Sequence, residues 1–152
     1  MKTNSKTGNS KIRKTEKGIP KLIIQTWKNE IVPFKWLKSP ESIKKHMPDW
    51  KYLLLTDEMM DTFVKKYFPD FHEKIYTKFP YHIQRCDSFR YMWLYINGGI
   101  YIDLDFELKD SLAKLLEKYD DGTADAFFTP SGNNNHWYTN SFLASKPKSP
   151  IW

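Results

Sequence analysis

The chain has a single cysteine, Cys86. It can form no intramolecular disulfide and no cysteine metal cluster, which fits a reducing compartment. Cys86 sits in an apolar-periodic stretch and reads as a buried small hydrophobe rather than a nucleophile. No apolar run reaches the roughly 20 residues that cross a bilayer. The N-terminus is basic without a hydrophobic segment, so it is not expected to act as a secretory signal. Glycine is scarce, with six residues in 152. Gly98-Gly99 closes a helix instead of opening one, which excludes a dinucleotide-binding fingerprint. A calcium loop starting at Asp103 fails too, because its sixth position is Leu108 where Gly is needed and its twelfth is Lys114 where Glu is needed. No internal repeat is visible.

What is present suits one globular domain. The length is enough to bury a core without disulfides, and hydrophobic residues make up 40% and aromatics 16%. The net charge of +6 is unevenly placed. Of 24 basic and 18 acidic residues, seven basic and one acidic lie in residues 1–21, so the remainder balances at 17 of each. Residues 1–18 therefore read as a flexible basic tail, and 19–152 as the domain. Such a tail suits phosphates or an anionic membrane surface. It lacks interleaved aromatics and a helical apolar face, so no nucleic-acid partner is expected.

Strand and helix signals alternate along the domain. Lys21–Trp27 and Trp50–Leu55 are short, apolar and β-branched or aromatic. Ser39-Pro40-Glu41 has the order of a helix cap, a first-turn proline and a first-turn acid. Asp57–Phe68 is a helix burying Met60, Phe63, Val64 and Tyr67. Asp70-Phe71-His72-Glu73 has capping-box spacing. Tyr81–Asn97 is the longest periodic segment, with Ile83, Cys86, Phe89, Arg90, Trp93 and Ile96 at helical intervals, and Asn97-Gly98-Gly99 stops it. Strands follow at Gly99–Ile102, Ala124–Thr129 and Ser141–Ala144, with a helix from Ser111 between the first two. This order predicts a mostly parallel α/β sheet flanked by helices.

The chemistry centres on Asp103-x-Asp105, at the carboxyl end of the Gly99–Ile102 strand. Ligands of open α/β sheets sit beyond such strand ends. Where the chain turns, both carboxylates approach one point, and two close carboxylates stay ionised together only at a cost that a cation removes. A hard divalent metal with oxygen ligands meets that need and leaves positions for phosphate oxygens and water. By itself Asp-x-Asp is equally a solvated turn. Asp87 and Arg90 share a helix face three residues apart. They suit ribose hydroxyls and phosphate, or form a plain surface pair worth about 0.3–0.5 kcal/mol. Trp27 offers an indole for a nucleobase, or is ordinary core. Tyr101 alternates with Ile100 and Ile102, so it lines a pocket or packs under a helix.

The run Asp87-x-x-Arg90-Tyr91-x-x-Leu94-x-x-x-Gly98-Gly99-Ile100-Tyr101-x-Asp103-x-Asp105 resembles the signature of the glycosyltransferases with a DXD sugar-binding region, glycosyltransferase family 32. That group includes the yeast initiating α-1,6-mannosyltransferase and bacterial capsule and lipo-oligosaccharide enzymes, and clostridial glucosylating toxins carry a similar signature. Ile19-Pro20-Lys21-Leu22-Ile23-Ile24-Gln25-Thr26-Trp27 is similar to the family's first strand. Asn140-Ser141-Phe142-x-Ala144-Ser145-x-Pro147 is similar to a later one. The likeness covers residues 19–152 in order.

The resemblance implies a GT-A, Rossmann-like fold. It also implies transfer of a hexose from a UDP- or GDP-sugar to a glycan, lipid-linked or protein acceptor, usually retaining and with Mn²⁺ or Mg²⁺. By position, Asp105 would be the direct metal ligand, and Asp103 would contact ribose, sugar and metal. Asp87 and Arg90 would hold the donor sugar and phosphates, Trp27 would stack on the base, and Tyr101 would line the pocket. The family usually has His where this chain has Ile24. Relatives continue past the position of Trp152, where they supply a further metal contact and much of the acceptor site. The GT-A domain thus reads as C-terminally truncated, as a minimal enzyme or as a donor-binding remnant, and a non-catalytic nucleotide-sugar-binding module is the alternative function. Eukaryotic relatives work in the Golgi behind a membrane anchor. With no anchor visible, a cytoplasmic or membrane-peripheral bacterial or viral enzyme is expected.

Overall fold

The computed structural model describes residues 18–119, 123–132 and 137–152. The basic tail before Gly18, the Asn133-Asn134-Asn135 run and His136 lie outside the described residues.

Five strands are seen among these residues: β1 (Leu22–Thr26), β2 (Lys51–Leu55), β3 (Gly99–Ile102), β4 (Ala126–Pro130) and β5 (Tyr138–Ser145). They form one sheet in the order β2-β1-β3-β5-β4. β1 is parallel to β2 and to β3, whereas β5 is antiparallel to β3 and to β4. Four of the five strands therefore run the same way, as the alternation of elements predicts. The helices are α1 (Lys38–His46), α2 (Asp57–Tyr67), α3 (Pro69–Lys74), α4 (His82–Asn97) and α5 (Leu112–Tyr119).

The two-residue period of the strands divides the core into two layers. Ile24 of β1 and Tyr101 of β3 join Met60 and Val64 of α2 and Phe89 and Leu94 of α4. Ile23, Ile100 and Ile102 face the other way, toward Ile43 of α1, Met47 and, on α5, Leu112 and Leu116. Ile24, at the family's usual His position, is fully buried core.

Several helix signals resolve differently from the sequence reading. α1 starts at Lys38, straight after a 3-10 turn at Phe34–Trp36, so Ser39 lies inside its first turn instead of capping it. The buried Ser39 hydroxyl accepts a hydrogen bond from Gln25 Nε2 at 2.8 Å. The capping box at Asp70–Glu73 does not form, because Pro69 opens α3 with Phe68 at the cap position, and the fixed proline φ starts the helix unaided. Ile83 and Tyr67 are 59% and 44% exposed, so the buried stripes of α4 and α2 are narrower than the periodicity suggests.

Gly98 and Gly99 do more than stop α4. Gly98 has φ +65° and Gly99 φ +99°. A Cβ on Gly99 would lie 2.5 Å from the Leu22 carbonyl oxygen, where β3 meets β1. Gly99→Ala therefore combines a disfavoured φ with a backbone clash that no rotamer relieves. It is expected to cost about 2 kcal/mol, read as a lower urea midpoint with an unchanged m-value.

Candidate active site

The carboxyl ends of β1 and β3 open on a cleft of ≈ 360 Å³. Thr26 and Trp27 line it from β1, Asp103 and Asp105 from the end of β3, Arg90 and Cys86 from α4, and Asp57 from α2. β5 runs the opposite way, so its first half, which includes Asn140, reaches the same edge. A wider groove of ≈ 820 Å³, walled by Lys28, Ile31, Met59, Phe63 and Lys66, lies alongside. It is the larger of the two, but Asp103 and Asp105 are on the smaller one.

Arg90 organises the site. Its side chain is 4% exposed, with Nη2 3.0 Å from Asp87 Oδ1 and Nη1 3.1 Å from Asp103 Oδ1. Nη1 also donates to the Asn140 carbonyl at 2.8 Å, and the guanidinium lies 4.3 Å from the Tyr101 ring centre. Burial therefore decides against a plain surface pair for Asp87 and Arg90. Asn140 Nδ2 donates to Asp87 Oδ1 at 3.1 Å, tying β5 to α4.

Asp103 is held on every side. The Tyr101 hydroxyl donates to its Oδ1 at 2.5 Å, its N–H donates to the Ser141 carbonyl at 2.8 Å, and its own carbonyl accepts from Gln25 Nε2 at 3.1 Å. Gln25 Oε1 in turn accepts from the Tyr52 hydroxyl at 3.0 Å. Burial pushes the Asp103 carboxyl above its ordinary range against the pull of Tyr101 and Arg90, and Asp105 and Asp87 add to the push. The Tyr101 hydroxyl is driven up by burial and stays protonated as the donor. Asp105 is exposed on the cleft and has no hydrogen-bond or ion-pair partner among the described residues.

This donor set suits a hard cation. Asp103 and Asp105, at the end of β3, face one cleft, whereas Asp87 does not line it and is paired with Arg90 and Asn140. Among the described residues, no group of three or more His, Cys, Asp or Glu side chains is placed to hold a metal by itself. A cation here would take oxygens from Asp105 and Asp103 and complete its shell with water and ligand phosphate.

Trp27 stands edge-on to Trp36 at 4.9 Å, and both line the cleft. Trp27 Nε1 and Arg90 Nε are buried without a partner. The sequence reading missed His82 and Asp57, which also line the cleft. His82 Nε2 lies 3.0 Å from Asp57 Oδ2, and Nδ1 lies 3.4 Å from Cys86 Sγ. Burial pushes the Cys86 thiol up to about 11, so it is a neutral thiol here and not a nucleophile. Asn140 sits in a stretch similar to the family's, but nothing local in the sequence announces its contact with Asp87 across 53 residues.

The family model described as glycosyltransferase sugar-binding region containing DXD motif matches residues 33–121. The chain belongs to this glycosyltransferase family. Among its relatives, inositol phosphoceramide mannosyltransferase 1 of Schizosaccharomyces pombe is 35% identical over 88% of this chain and 40% of its own length. Mannosyl phosphorylinositol ceramide synthase CSH1 of Saccharomyces cerevisiae is 36% identical over 88% of this chain and 33% of its own. The chain thus spans well under half the length of these two curated relatives. The solved PaToxG glycosyltransferase shares the fold, with a TM-score of 0.58 at 21% identity, over 88% of this chain and 57% of that one. The expected GT-A fold is borne out.

The expected setting, a bacterial or viral enzyme outside the eukaryotic membrane system, is corrected by these relatives. They are yeast proteins, one named as an inositol phosphoceramide mannosyltransferase and the other as a mannosyl phosphorylinositol ceramide synthase. Net charge and the lack of a long apolar run carry no information about compartment.

Proposed function

We propose that this DXD family member binds a UDP- or GDP-hexose through a divalent cation, Mn²⁺ or Mg²⁺, and transfers the hexose with retention to a glycan or lipid-linked acceptor. The observation that carries the reading is the placing of Asp103 and Asp105 on one cleft at the carboxyl end of β3, beside the buried Arg90. The names of the relatives favour mannose as the hexose and an inositol-phosphoryl lipid as the acceptor.

Asp105 and Asp103 would hold the cation, which when bound supplies Lewis-acid stabilisation of the departing diphosphate. Asp103, clamped by Tyr101 and Arg90, is already fixed before a ligand arrives, so little ordering cost remains. Arg90 spends Nη1 and Nη2 on Asp103, Asn140 and Asp87. Its role is accordingly to orient carboxylates, with Nε and the second Nη2 N–H left uncommitted. Buried donors without acceptors cost about 1–3 kcal/mol each, and a ligand accepting from Arg90 Nε or Trp27 Nε1 would recover that. The Trp27 indole, steadied by Trp36, would stack on the base. The names of the relatives, all of enzymes, favour transfer over the alternative of a non-catalytic binding module.

Thermal melting with UDP- and GDP-sugars tests the reading. At saturating donor with Mn²⁺ the melting temperature is expected to rise by roughly 5–10 °C, with no rise when the metal is chelated. Equal shifts with and without metal would overturn the cation's part.

A further inference from the structure

The segment between β1 and α1 shows the solvent what folded chains normally hide. Phe34 is 90% exposed and Ile31 77%, and Leu37 is exposed beside them. Phe34 opens the 3-10 turn at Phe34–Trp36, and the Leu37 N–H closes on its carbonyl at 3.3 Å. Residues three apart eclipse in such a turn, so Phe34 and Leu37 share one face. Trp36 points elsewhere, meeting Trp27 at the cleft. The apolar face is thus fixed to the site by its own turn. Residues 28–38 carry three exposed lysines against one acid, Glu30: Lys38 follows Leu37 directly, Lys35 Nζ lies 4.0 Å from the Trp36 ring centre, and Lys28 is on the cleft wall.

We propose that this segment, residues 28–38, docks onto an anionic lipid surface. Ile31, Phe34 and Leu37 enter the boundary between headgroups and acyl chains, and the exposed ammonium groups of the segment, Lys38 first, pair with lipid phosphates. Apolar tips beside lysines are the composition of interfacial membrane contacts. A second copy of the chain fits the patch poorly, because a two-fold contact would set lysine against lysine. The lipid acceptor in the proposed function is a separate premise. The inference rests on it only for the consequence that docking brings the cleft mouth to lipid headgroups.

Co-sedimentation of the whole chain with phosphatidylcholine vesicles, with and without phosphatidylserine, tests the docking. Binding is expected only with phosphatidylserine, weakening as salt rises. Ile31→Ser with Phe34→Ser is expected to weaken it about tenfold or more. Lys35 and Lys38 changed together to Gln should weaken binding to phosphatidylserine vesicles relative to the wild type, the basic residues 1–21 being the same in both chains. Both variants alter exposed side chains, so an unchanged melting temperature and an unchanged donor-induced shift keep loss of fold and loss of the donor site apart from loss of docking. Wild-type chain that ignores both vesicle types would overturn the proposal, as would an Ile31/Phe34 variant that still sediments fully. Self-association seen by light scattering and abolished by Phe34→Ser would also overturn it and assign the patch to a second copy. If vesicles bind but no nucleotide-sugar does, the docking stands and the transferase reading fails.

Discussion

Asp105→Ala is expected to lower metal-dependent sugar transfer about 10³-fold or more while moving the melting temperature by less than about 2 °C. Asp105 is exposed on the cleft and partnerless among the described residues, so its removal breaks no hydrogen bond or ion pair. Its charge instead helps push the neighbouring Asp103 carboxyl up, so losing it relieves a repulsion and the fold gains slightly if it changes at all. The catalytic loss has a different origin. A divalent cation contributes several kcal/mol of charge stabilisation as a leaving group departs, and Asp105 is the carboxylate with no other commitment. Asp105→Asn keeps the shape and one oxygen but drops the charge, and should recover little. Glu107→Ala is the control. Glu107 is a nearby acid already paired with Lys109 at 2.9 Å, and its loss should leave the rate alone. Full activity in Asp105→Ala would mean that the two acids do not form the metal site.

Periodicity was enough to read most of this fold. Alternation of Ile100, Tyr101 and Ile102 placed the tyrosine opposite the isoleucines, and the two-layer core confirms it. The Gly pair after Asn97 marked the helix end, and its positive φ values show why. Boundaries set by tertiary contact were not legible. Ser39 looks like a cap from its neighbours alone, yet it is claimed by Gln25, a buried strand residue fourteen positions away. Ile83 fits the helical stripe but falls where α4 runs out past the core to the cleft mouth. In the site, Asp87 and Arg90 are ambiguous as a spacing, and only the burial of Arg90 separates a clamp from a surface pair. Asn140 and the Asp57–His82 pair were invisible for the same reason, since they connect elements that only the folded sheet brings together.

The second large effect belongs to Arg90→Ala, which is expected to damage both stability and function. The guanidinium is the shared partner of Asp87, Asp103 and the Asn140 carbonyl, 3.0, 3.1 and 2.8 Å away. Truncation leaves two carboxylates facing each other with no cation and one carbonyl without its donor. Removing one member of a buried charge network costs about 3–5 kcal/mol. Here the low end applies, about 3 kcal/mol, because Asp87 and Asp103 keep 38% and 33% of their side-chain surface in water, which screens them. For a chain of this size that is a fall of roughly 6–12 °C in melting temperature. Arg90→Lys should lie between, since a single ammonium cannot reach three acceptors in the directions a planar fork does. Donor-induced stabilisation should vanish in Arg90→Ala even at temperatures where it remains folded, because Asp103 loses the clamp that orients it. An Arg90→Ala chain that melts like the wild type would show that solvent, and not the guanidinium, carries these carboxylates, and the clamp would then have no part in shaping the cleft.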